Sequence, residues 1–96
     1  MRDGSTYGSP MTALTQNVAY TGTAGTIANV VPPNCVAVRL VSTTDCFVRI
    51  GNNPTATTAD MYLVAGVPET FGIGLNDKVS AVQVSSGGTI YVTPLV

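Results

Sequence analysis

Histidine and tryptophan are absent from this sequence, and only nine of its 96 side chains are charged. Without histidine the chain has no imidazole base for a Ser-His-Asp or Cys-His nucleophile, and it lacks the commonest metal ligand. Its five carboxylates, Asp3, Asp45, Asp60, Glu69 and Asp77, are scattered beside predicted turns and strand ends. They read as solvated turn residues rather than an acid/base pair or a hard-cation loop. The basic residues are Arg2, Arg39, Arg49 and Lys78, too few and too dispersed to line a phosphate-binding groove, so no nucleic acid partner is expected. The stretch GIGLND, residues 72–77, is glycine-rich but opens no helix that would hold a phosphate at its N-terminus. Asn76-Asp77 instead predicts a turn before a strand at Lys78. No catalytic residue, metal or cofactor is expected, and the chain reads as a non-enzyme.

Long hydrophobic runs are also missing. The opening residues, MRDGSTYGSPMTALTQ, contain no segment of the length a secretory signal requires, and nothing later approaches the ~20 apolar residues of a membrane helix. A soluble protein made in the cytoplasm is the expectation, with no membrane partner.

What remains is 45% hydrophobic residues and a polar fraction of Ser, Thr, Asn, Gln and Gly. Charged residues make up 9% of the chain, against about 25% in ordinary soluble domains. A net charge of −1 gives copies little mutual repulsion, which suits a protein that works inside an assembly.

From Gln16 onward, short runs rich in Val, Ile, Thr and Tyr recur between Gly, Pro, Asn and Asp: QNVAY, TIANVV, CVAVRLVS, CFVRIG, MYLVA, ETFGI, KVSAVQVS and TIYVTPLV. Eight such runs, with no helical period that escapes Gly, Pro or β-branched clusters, predict an all-β fold. The architecture expected is a two-sheet antiparallel β-sandwich, jelly-roll-like or a related Greek key, with an extended N-terminal arm. The arm covers residues 1–16 and a single domain covers 17–96. An immunoglobulin pattern does not fit, since there is no tryptophan and the two cysteines are close in sequence.

Alternation places Val36, Val38 and Leu40 opposite Ala37, Arg39 and Val41, and Cys46, Val48 and Ile50 opposite Phe47 and Arg49. We expect the two runs to form a hairpin turning at Thr43 and Thr44, with Arg39 and Arg49 on its outer face. In that register Cys35 lies roughly 20 Å from Cys46, so both are expected as free thiols. SSGGT, residues 85–89, reads as a second hairpin turn whose glycines supply positive φ. Tyr7, Tyr20, Tyr62 and Tyr91 read as packed rings with rim hydroxyls rather than a sugar platform. The stretch GNNPTATTADMYLVAG, 51–66, a polar loop that runs into a short apolar strand, reads as an interface or a spacer.

The succession VRLVSTTDCFVRIG, a PTAT loop, D-M-x-L-x-A-G-x-P-E-x-F, K-V-S and GGTIYVTPL, over roughly residues 36–96, resembles small β-rich structural proteins of tailed bacteriophages, capsid cement or decoration proteins among them. That resemblance implies a jelly-roll-like protein, often trimeric, that binds the major capsid protein on the outer surface of the virion head. It assigns no individual contacts. The interface residues expected here are Tyr7, Met11 and Leu14 of the arm, Arg39 and Arg49, and Asn53, Thr55 and Thr57 of the loop. A tail, fibre or receptor-binding component, including a glycan-binding one, is the alternative.

Overall fold

The structure, a computed structural model, describes residues 11–96. Tyr7 and the first ten residues of the expected arm lie outside the described residues. A single 3-10 turn, Thr12–Leu14, leads into eight strands: β1 Gln16–Tyr20, β2 Gly25–Thr26, β3 Ala37–Ser42, β4 Cys46–Gly51, β5 Met61–Leu63, β6 Glu69–Gly72, β7 Lys78–Gln83 and β8 Gly88–Leu95.

They form two antiparallel four-stranded sheets, A in the order β1-β8-β3-β6 and B in the order β2-β7-β4-β5. The pairings β1 with β8, β2 with β7, β3 with β6 and β4 with β5 are those of one long hairpin whose tip is the 52–60 loop. Rolling that hairpin adds β3 with β8 and β4 with β7 and yields an eight-stranded jelly roll. The all-β sandwich expected from the strand spacing is the fold observed.

The core lies between the sheets. Val38, Leu40 and Ile90 from sheet A meet Cys46, Val48, Leu63, Val79 and Ala81 from sheet B, with Tyr20, Ile27 and Val31 closing the ends. Inward residues alternate with outward Arg39, Phe47 and Arg49, as period-2 patterning requires. The exception is Val36, which stands one residue before β3 and is exposed.

Two expected hairpins are corrected. β3 and β4 do not pair; Thr43, Thr44 and Asp45 carry the chain from sheet A across to sheet B. Both thiols are free, though not by the register first supposed. The 84–87 segment likewise crosses between sheets, from β7 to β8. Its glycines answer to crowding rather than positive φ: a side chain at Gly87 would press on the Tyr20 carbonyl, and one at Gly88 on the Thr43 and Thr44 hydroxyls and the Tyr20 phenol. The expected strand TIANVV is also shorter, ending at Thr26. Ile27 and Val31 still donate N–H bonds to Val79 and Asp77 carbonyls, at 3.0 Å each, while Ala28–Val30 leave the ladder.

The end of the expected arm belongs to the sandwich. The Met11 N–H donates to the Pro94 carbonyl at 2.8 Å, and Gln16 already pairs with Val92. Gln16 also exchanges two amide bonds with the Asn29 backbone. Beside it Gly25 packs against the Ala19 carbonyl so closely that a Cβ would overlap the oxygen. These contacts close the β1–β2 side of the sandwich. Gly51, at the end of β4, has nothing within reach of a Cβ. Gly25→Ala is therefore expected to cost about 1–3 kcal/mol through overpacking, and Gly51→Ala within about 0.5 kcal/mol. Denaturant unfolding of both variants checks this, and equal losses would show that the close approach at Gly25 is not a constraint.

Candidate interaction surfaces

The 52–60 loop is more than a connection. After β4 ends at Gly51, Asn53 takes a left-handed conformation, φ 56°, which asparagine tolerates better than most residues. Pro54 then turns the chain back over the outer face of sheet B. The Pro54 carbonyl accepts the Thr26 hydroxyl at 3.2 Å, and the Ala56 N–H donates to Ser80 Oγ at 2.9 Å. Ser80 pairs with Arg49, so its side chain faces outward, yet it is fully buried beneath this strap together with Ala56.

Asp60 fastens the far end. Its carboxylate accepts the Thr57 N–H at 2.7 Å, the Thr57 hydroxyl at 3.2 Å and Arg49 Nε at 3.0 Å. The Thr57 N–H, aided by the Arg49 guanidinium, holds the carboxyl below its ordinary range. Arg49 is 47% exposed, so screening leaves this ion pair little energetic weight and its role is to fix the loop's path. Asn53, Thr55 and Thr57 face solvent on the strap.

Next to the strap, Phe47 pairs with Val82 on one side and Tyr62 on the other. The Phe47 and Tyr62 rings meet edge to face at 5.5 Å and 89°. The Tyr62 hydroxyl donates to the Asp45 carboxylate, whose other oxygen accepts the Ala65 N–H at 2.8 Å. Both bonds favour the charged form and hold Asp45 low, while the carboxylate pushes the Tyr62 phenol up.

Sheet A presents a different outer face. Arg39 lines up with Thr93 and Thr70, and Tyr91 with Val41 and Asn17. Arg39 and Arg49 therefore lie on opposite faces of the molecule, because β3 and β4 occupy different sheets. The shared arginine face expected from the hairpin does not form. Met11 is half-buried beside its own β8, and Leu14 is exposed. Of the tyrosines, Tyr20 is buried with its hydroxyl on the Thr44 carbonyl at 2.8 Å, Tyr62 is bound to Asp45, and Tyr91 is exposed on sheet A.

Thus Arg49, Asn53, Thr55 and Thr57 come together around the strap, while Arg39, Met11 and Leu14 lie on the side of sheet A. Sequence reasoning missed a different feature. Among the described residues, five of the ten exposed large apolar side chains, Met61, Tyr62, Val64, Val67 and Leu75, come from the single segment 61–75, so the exposure is concentrated along the sequence. The signal was present in MYLVAGV, which has no charged or amide side chain on either face of the run.

Among the described residues there is no cavity and no cluster of three or more His, Cys, Asp or Glu side chains. Arg49–Asp60 is their only ion pair. Cys35 donates its thiol to the Ala37 carbonyl at 2.9 Å, and burial pushes the Cys46 thiol up. No protein-family model, curated protein or solved structure matches the chain.

Asp45 and Asp60 are expected to add to the acid sensitivity of the fold. Both have lowered folded-state values, so the stability they add is complete above the ordinary carboxylate range. It is lost as pH falls through the folded values. The melting temperature is expected to drop across that window, and to drop less in an Asp45→Asn/Asp60→Asn variant. Parallel acid profiles for the two proteins would remove the carboxylates from this role.

Proposed function

We propose that this protein is a non-enzymatic structural component of a tailed-phage virion. In this reading it is a capsid cement or decoration protein that binds the major capsid protein on the outer surface of the head as a homo-oligomer, a trimer being favoured. The observation that carries the reading is a jelly roll with a low share of charged residues, 9%, and a stretch of sequence rich in exposed apolar side chains. The resemblance of residues 36–96 to phage structural proteins supports it. The chemistry it needs is area rather than catalysis. A stable interface buries on the order of 1,600 Å² in total, and repetition around a shell axis multiplies contacts that are individually weak.

Purified protein mixed with heads lacking it is expected to bind them and to raise their disruption temperature. Protein that stays in the supernatant, with heads disrupting at an unchanged temperature, would overturn the reading.

One observation favours a second reading, a receptor-binding component. Tyr91 is exposed beside Asn17 and within one row of Thr93 and Arg39, a ring flanked by hydrogen-bonding groups of the kind that stacks on a sugar. This reading expects retention on immobilised host-surface glycans that Tyr91→Ala abolishes. Equal elution of both proteins with the void would sink it.

A further inference from the structure

The two long sides of the sandwich are finished differently. On the β1–β2 side, Gly25 lies against the Ala19 carbonyl and Gln16 is bonded to Asn29, so the edge of sheet A is occupied by the chain's own backbone. On the opposite side β5 is the edge of sheet B and β6 the edge of sheet A. Among the described residues no segment crosses in front of them. The 52–60 strap lies over the face of sheet B. The 64–68 turn is drawn to the end of the sandwich, with Gly66, φ 74°, donating to the Ser42 carbonyl at 2.9 Å and Ala65 bonded to Asp45. The 73–77 turn closes on itself, the Gly74 N–H donating to the Asp77 carboxylate at 2.8 Å.

Natural sheets protect open edges with lysine, internal proline, bulges or covering segments. Here β5 reads Met-Tyr-Leu and β6 Glu-Thr-Phe-Gly. Glu69 is the only charged residue from Met61 to Leu75. Met61 and Tyr62 stand exposed on β5, Val64 and Val67 on the turn at one end of these edges and Leu75 on the turn at the other.

We infer that the β5–β6 side is a self-association surface whose occupant is a second copy of this chain. An extended peptide would satisfy one edge only, because the two sheets of a sandwich stand about 10 Å apart. A second copy presents both edges at the matching separation. The charges on this side are few: Glu69, and the Asp45 carboxylate held by the Tyr62 hydroxyl and the Ala65 N–H, so a chain of net charge −1 meets itself with little overall repulsion. Strand direction selects the geometry. β5 runs toward the 64–68 turn and β6 runs away from it, so the two are antiparallel across the layers. A rotation axis parallel to the strands then sets β6 of one copy antiparallel beside β5 of the next, with Met61, paired with inward Val48, at the seam and Val67 at its end.

The inference rests on the oligomeric half of the proposed function and not on its virion half. Sedimentation of the full chain is expected to give a multiple of the 9.8 kDa protomer mass. Met61→Lys and Val67→Lys should reduce it to a single protomer with an unchanged β-type circular dichroism spectrum, and Asn17→Lys, on the outer face of sheet A, should leave the multiple intact. A wild-type chain that sediments as one protomer overturns both the inference and the oligomeric reading. A multiple that survives both lysine variants overturns the inference alone.

Amide exchange of the unmodified chain supplies a readout free of folding defects. Protection of β5 and β6 should rise with protein concentration. Protection independent of concentration overturns the inference, and if it also disappears when residues 1–10 are removed, the occupant is the chain's own N-terminus.

Discussion

Three residues, Thr43, Thr44 and Asp45, carry the chain from sheet A to sheet B, and the rest of the sandwich is organised around that crossing. At about 3.3 Å per extended residue, three residues span little more than the ~10 Å between stacked sheets, so β4 is obliged to start directly across from the end of β3. The crossing is held on every side. The Thr43 N–H bonds the Thr89 carbonyl, and the Thr43 hydroxyl accepts the Thr89 N–H in return. Thr44 receives the Tyr20 hydroxyl on its carbonyl and donates its own to Ser86. Asp45 takes the Val84 N–H on its carbonyl and the Ala65 N–H on its carboxylate. Two other connections, 64–68 and 84–87, and the ends of β1 and β8 are thereby fixed to a single short link. Small hydroxyl side chains are what such a crowded junction admits, and the lack of a side chain at Gly88 leaves room for both threonines and the Tyr20 phenol.

Much of the architecture was legible in the sequence because the physics that sets it is local. Period-2 alternation in CVAVRLVS and CFVRIG placed Val38, Leu40, Cys46 and Val48 inside and Arg39 and Arg49 outside, and the sheets arrange them so. Partnering was not legible, since alternation is the same whether a strand pairs with its neighbour in sequence or with one fifty residues away. Thr43-Thr44 therefore read as a hairpin, and the arginines were assigned one face where the structure gives them two. The role of SSGGT was hidden for a related reason: glycine is compatible with positive φ and with close approach, and only the neighbouring Tyr20 and Thr44 decide between them.

The candidate surfaces were legible in part. The 52–60 loop was recognisable as polar and unsuited to catalysis, but its function as a strap depends on Ser80 and Thr26, remote in sequence and brought beneath it by β7 and β2. The strap also resolves an apparent conflict of pattern, in which β7 shows four consecutive buried residues from Val79 to Val82. One face of that strand is buried by the core; on the other, Ser80 lies beneath the loop and Val82 is paired with Phe47. Among the described residues nothing comparable covers β5, and Met61 and Tyr62 are exposed there, whereas Phe71 of β6 packs against the core.

The nested pairing of the strands also orders how the chain finds its shape. Val48 meets Met61 across the 52–60 tip, whereas Gln16 meets Val92 only after nearly the whole chain has been brought round. Closing entropy grows with the length of the loop being closed, but a loop already shortened by inner pairs costs far less to close. The least costly route zips from the tip outward, through β3 with β6 and β2 with β7, and seats β1 against β8 last. With few local contacts to speed it, such a route is slow, and throughout it the open edges of β5 and β6 are the first finished surface that the growing structure presents.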